Sequence, residues 1–159
     1  MKLKTLTALL VLAGACVHAQ TVQVSDAWAR ASVPGQTATG AFMKITARQD
    51  SRLVGVASPS AGVAQVHEMK MDGAVMQMRA LPNGLALPAG KTVELRPGGY
   101  HIMLMDMNAS LAAGSTLALT LVFQDAKGAQ STLRLNVPVS TRAPAQAVPG
   151  NDAMSEHKH

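Results

Sequence analysis

From Thr21 to about Val139 apolar residues recur at every second position in short runs, and Gly, Pro, Asn and Asp punctuate those runs. A period of two belongs to strands with one buried face, and no stretch carries the 3.6-residue period of a helix. Nine strands are predicted, over 21–31, 38–47, 52–58, 63–71, 74–81, 91–98, 100–107, 115–123 and 131–139. The alternation is clearest late in the chain, where Leu117, Leu119, Leu121 and Phe123 share one face and Leu133, Leu135 and Val137 another. These two runs pair as a core hairpin across 124–130. So many short strands with turn residues between them predict an all-β, Greek-key sandwich or barrel.

The 159 residues suffice for one domain with a real core. Two features flank the β region. The opening has Lys2 and Lys4, an apolar run from Leu6 to Val17, and then Val17-His18-Ala19 as a small-residue cleavage site. This pattern predicts a secretory signal peptide over 1–19, and the run is too short to be a membrane span. A lipoprotein reading would lipidate Cys16, but Ala13 stands where a large aliphatic residue is wanted. The β domain is then 20–140. Residues 141–159 are rich in Pro and Ala, then polar, and predict a flexible tail.

Cleavage after Ala19 removes Cys16, the single cysteine of the chain. The mature protein is then without disulfide, CxxC pair, thiolate nucleophile or thiolate metal ligand. Loss of Lys2 and Lys4 takes the net charge from +5 to +3, with the remaining basic residues scattered, which argues against nucleic acid as a partner. No Ser/His/Asp set, carboxylate pair or phosphate loop emerges, so an enzyme is not expected.

What the composition concentrates is soft sulfur. Seven methionines lie between residues 69 and 107, beside His67 and His101, the only histidines of the β region. In 66–78, Asp72-Gly73 is a strong signal for a two-residue hairpin turn. With those two residues in the turn, Met71 faces Ala74, Met69 faces Met76 and His67 faces Met78. Alternation then puts His67, Met69, Met71, Met76 and Met78 on one face. After Pro97-Gly98-Gly99, a second strand carries His101, Met103, Met105 and Met107 on one face, with Tyr100, Ile102 and Leu104 on the other as core. Trp28 and Met43 are read as core residues.

On the residues alone, the methionine face is either core packing, an apolar docking surface, or a metal site. Thioethers select Cu(I), imidazole completes such a site, and zinc is disfavoured because its protein sites use Cys, His and carboxylate. The tail adds Met154, His157 and His159, a ligand set suited to a secondary Cu(II) site.

The spacing of His67, ten residues, Met78, and then His101-x-Met103 resembles the motif of the periplasmic copper chaperones called PCu(A)C. The similarity runs from about Val24 to Val139 and includes the segments 25–32 and 39–45. The 22 residues between Met78 and His101 are one more than the motif's spacing, which one extra residue in the loop 81–90 absorbs.

The resemblance implies a cupredoxin-like fold in the periplasm, with His67, Met78, His101 and Met103 holding one Cu(I). It also implies delivery to the dinuclear copper centre of cytochrome c oxidase, in company with Sco-type proteins and without stable membrane insertion. A buffering or resistance protein with no dedicated recipient, and a metal-free docking module, are the competing expectations.

Overall fold

The structure is a computed structural model that describes residues 21–144, so both the predicted signal peptide over 1–19 and the tail residues Met154, His157 and His159 lie outside the described residues. Ten strands follow one another: β1 (Val22–Arg30), β2 (Thr39–Ala47), β3 (Ser51–Ala57), β4 (Ala61–Asp72), β5 (Val75–Ala80), β6 (Leu85–Leu87), β7 (Thr92–Leu95), β8 (His101–Met107), β9 (Thr116–Asp125) and β10 (Gln130–Ser140). All nine predicted strands are present. The tenth, β6, is a Leu-Ala-Leu unit too short to register as a period, yet Leu85 and Leu87 are both buried.

Neighbouring strands run in the order β5-β4-β8-β2-β1-β10-β9-β3-β6, with β7 also paired to β2. Every pair is antiparallel except β1 with β10, which are parallel at Ala29–Val139 and Arg30–Ser140. Such a crossover between the first and last strands makes the all-β domain a cupredoxin-like Greek key. One core serves both halves, with Ala41, Met43 and Ile45 of β2, Ile102 and Leu104 of β8, and Leu117, Leu119 and Leu121 of β9 contributing. The predicted β9–β10 hairpin forms, pairing Leu117 with Val137, Leu119 with Leu135 and Leu121 with Leu133.

A β-bulge in β1 decides what the outer face of the β1-β2-β8-β4-β5 layer carries. The pairing with β2 slips by one residue between Ser25 and Trp28, and Asp26 takes a positive φ of 51°. Before the bulge Val22 and Val24 face the core; after it Ala29 does, so Trp28 and Arg30 turn to the opposite face. Trp28 is buried (5% exposed), as expected, but against Phe42 outside the main core, with ring centroids 4.7 Å apart.

Tyr100 departs from its predicted core position and is 37% exposed. It precedes β8 and belongs to the turn, where its carbonyl accepts from the Arg96 amide (2.7 Å).

Two glycines at positive φ differ in what surrounds them. A Cβ on Gly84 (φ 74°) would collide with the Leu53 carbonyl oxygen, whereas one on Gly73 (φ 62°) meets nothing. Gly73→Ala should cost only the left-handed conformation, about 1–2 kcal/mol. Gly84→Ala should cost clearly more, because backbone must move as well. Urea denaturation of the two variants checks the order, and equal losses would contradict it.

Candidate metal centre

The β4–β5 turn lies one residue later than the sequence predicts. Gly73 and Ala74 form it, and Asp72 pairs with Val75 as the last residue of its strand. Only glycine in this turn takes positive φ, which suits a two-residue turn with Gly at its first central position and leaves Asp72 in the ladder. The register shifts accordingly: Met71 faces Met76, Met69 faces Met78, and His67 faces Ala80. His67 and Met78 are therefore diagonal neighbours, not opposite ones. The slip is by two in the pairing sum, so the parity survives and His67, Met69, Met71, Met76 and Met78 keep one face.

On its other side β4 pairs with β8, and here His67 stands directly opposite His101, with Gln65 opposite Met103. Their imidazole centroids are 5.8 Å apart. Opposite residues have Cβ atoms roughly 4.5–5.5 Å apart, close enough for both rings to reach one ion. Met78 lies one row to one side of this histidine pair and Met103 one row to the other. Val66 and Ile102 pair on the inner face and are buried, which fixes the register from below.

The two rings are prepared differently. His101 is 6% exposed, and its Nδ1–H donates to the Gly99 carbonyl (3.0 Å), leaving Nε2 with a free lone pair. That same carbonyl accepts from the Met69 amide (3.2 Å), tying the turn before β8 to β4. His67 donates Nε2–H to Gln65 Oε1 (3.2 Å), and its Nδ1 is buried without a partner. An orphaned buried acceptor costs free energy unless something fills it. Orientation of one imidazole nitrogen by a carbonyl while the other stays open is the arrangement of metal-binding histidines.

An open pocket of about 270 Å³ brings Met78, His101 and Met103 together, with Phe42, Gly40 and Arg30 among its walls. Phe42 packs between Trp28 and the His101 ring, whose centroid is 6.5 Å away, and the Arg30 guanidinium lies 5.5 Å from the Phe42 centroid. Gly40, opposite Met103, leaves the space that the Phe42 ring fills: a Cβ there would lie 2.9 Å from Phe42 Cζ. These wall residues were not singled out in the sequence. The signal for them was the bulge at Asp26, since plain alternation along β1 would have placed Trp28 inside.

Met43, 1% exposed, is core as expected. Met105 continues the outer face along β8, but Met107 departs from its predicted place there: it follows Asp106, whose positive φ of 51° breaks the alternation, and it packs against the core with its partner Ala61. Glu68 pairs with Arg79 (2.6 Å) across the hairpin on its other face. Among the described residues no three His, Cys, Asp or Glu side chains converge.

The model of a family described as "Putative lipoprotein LpqE-like" matches residues 22–139. The chain belongs to this LpqE-like, PCu(A)C-type family. A curated relative, "Putative lipoprotein Lxx21020" of Leifsonia xyli, is 39% identical over 142 residues, covering 82% of this chain and 83% of the relative. Among solved structures, the copper-bound PCuAC domain from PmoF2 is similar with a TM-score of 0.58 and 26% identity, over 77% of this chain and 94% of that one. The solution structure of Cu(I)-bound DR1885 from Deinococcus radiodurans is similar with a TM-score of 0.58 and 30% identity, over 82% and 87%.

Burial of His67, and then the neighbouring His101, push its pKa below the ordinary imidazole value. In the metal-free protein His67 should titrate below 6.5 in an NMR pH series of the ring protons. Because the folded form then binds this proton less readily than the unfolded chain, its effect on stability is absent above the ordinary imidazole range. It becomes a loss as pH falls through that range toward the depressed folded pKa. A His67 midpoint at or above the ordinary value would contradict the packing described.

Proposed function

We propose that this protein is an exported copper chaperone of the bacterial periplasm, carrying Cu(I) as cargo on His67, Met78, His101 and Met103. The observation that carries the reading is the His67–His101 pair, with its open or orphaned ring nitrogens set between two thioether side chains. Imidazole and thioether are neutral and soft enough for Cu(I). The pocket wall contains no carboxylate, and its one charged residue is Arg30. A singly charged ion fits such surroundings better than a doubly charged one, because like charge opposes the second positive charge more. The likeness to copper-bound PCuAC domains supports the same ion.

The carrier's chemistry is ligand exchange with no change of oxidation state. His101 is buried and oriented by Gly99, so it anchors the ion, whereas Met78 is 49% exposed on an edge strand. An incoming ligand displaces Met78 first and the buried histidine last. A thiol-dependent step on the partner is not part of the reading, since the mature chain would lack cysteine. The proposed recipient is the copper-bearing subunit of cytochrome c oxidase, with Sco-type proteins cooperating. The tail residues Met154, His157 and His159 are proposed to capture Cu(II) and raise its local concentration. Export through a signal peptide over 1–19 places the domain in the periplasm, and Cys16 leaves with that segment.

Competition for Cu(I) against a chromogenic chelator tests the site: His67→Ala with Met78→Ala should abolish tight binding of one equivalent. Unchanged stoichiometry and affinity would contradict the ligand set. Loaded protein mixed with an apo oxidase copper domain should lose its ion to that domain, whereas retention would favour a buffering role. Removal of residues 141–159 should reduce Cu(II) uptake and leave Cu(I) binding intact.

A further inference from the structure

Three methionines of the β4–β5 hairpin are not used by the proposed cage. Met71 faces Met76 across the strands, Met69 faces Met78, and all four lie on the face that carries His67. They are not core fillers: Met71 is 54% exposed and Met76 52%. β5 is the free end of the strand order and is exposed along its whole length. Methionine normally repays burial, so a two-by-two array at a strand edge with three exposed thioethers and a half-buried Met69 calls for a use other than packing.

We infer that Met69, Met71 and Met76, sharing Met78 with the main cage, form a second, weaker thioether site for Cu(I). It is an entry and exit station at the hairpin tip. Opposite pairs bring Cβ atoms to roughly 4.5–5.5 Å, and flexible methionine side chains let their sulfurs close on one soft ion. No charged side chain shares this face, because Glu68, Lys70 and Arg79 point to the other one. The array excludes hard divalent ions for want of oxygen or nitrogen donors.

Movement inward is then a sequence of exchanges among neutral ligands. The ion keeps Met78 while His67 takes the place of Met71, His101 that of Met76, and Met103 that of Met69. Copper remains Cu(I) throughout, each new bond replaces one that breaks, and no proton or electron is transferred. The existence of the station follows from the hairpin itself, while the direction of travel rests on the proposed His/Met cage.

The test uses the mature protein with methionine methyl groups labelled, titrated with Ag(I), a soft ion that does not change oxidation state. Signals of His67, His101 and Met103 should respond to the first equivalent. On further addition the methyls of Met69, Met71 and Met76 should shift together. Met71→Leu with Met76→Leu keeps the hairpin's apolar bulk and should remove the Met69 response and one bound ion, with the first equivalent unaffected. The inference is overturned if the hairpin methyls stay in place under excess Ag(I), or if the double variant takes up as much as the parent. Such a result would leave these methionines as a docking surface. Failure of the cage reading looks different: His67 and His101 would stay silent while the hairpin methyls move.

Discussion

The register between β4 and β8 is the constraint on which the rest of the molecule depends. Val66 opposite Ile102 is held on the inner face by the core, and the adjoining pair on the outer face is then His67 opposite His101. Because side chains alternate, a slip of one residue would turn the imidazoles into the core and the core side chains outward at once. The hydrophobic effect, acting on one side of the layer, thus sets the geometry of a polar site on the other. The Gly99 carbonyl reinforces it by holding the His101 ring and the Met69 amide together.

The outer face is built in graded steps from rigid to loose. Trp28, Phe42 and His101 form a packed aromatic row next to β2, whereas the hairpin beyond His67 projects with both faces in solvent. A carrier needs this asymmetry. In the proposed role, firmly held ligands would give specificity and retention, and exposed ones would let a partner begin the exchange. The Glu68–Arg79 pair on the hairpin's reverse face puts charge along an otherwise open edge, a common protection against pairing with a second chain.

Much of this was legible in the sequence because the period of two reports directly which residues share a face. Nine strands, the core hairpin and both His/Met faces, Met107 excepted, follow from it. Three things did not. The turn lies at Gly73-Ala74 because only one of its central residues needs positive φ, a distinction that the Asp-Gly pair alone does not make. The bulge at Asp26 reverses the faces of β1, so Arg30 reaches the pocket wall and Trp28 packs behind Phe42 instead of in the main core. Finally, His67 finds its partner 34 residues away on β8 and not on the adjacent strand, because strand order is a property of the whole fold. Sequence spacing shows the residue types and the face, whereas tertiary pairing decides which of them stand together.

X-ray absorption at the copper edge of the singly Cu(I)-loaded protein tests the central claim most directly, since it counts ligands by element without disturbing any of them. A His67, His101, Met78 and Met103 cage predicts a Cu(I) edge with nitrogen and sulfur scatterers in equal number and imidazole multiple scattering. A shell of nitrogen and oxygen alone, or of sulfur alone, would contradict the account.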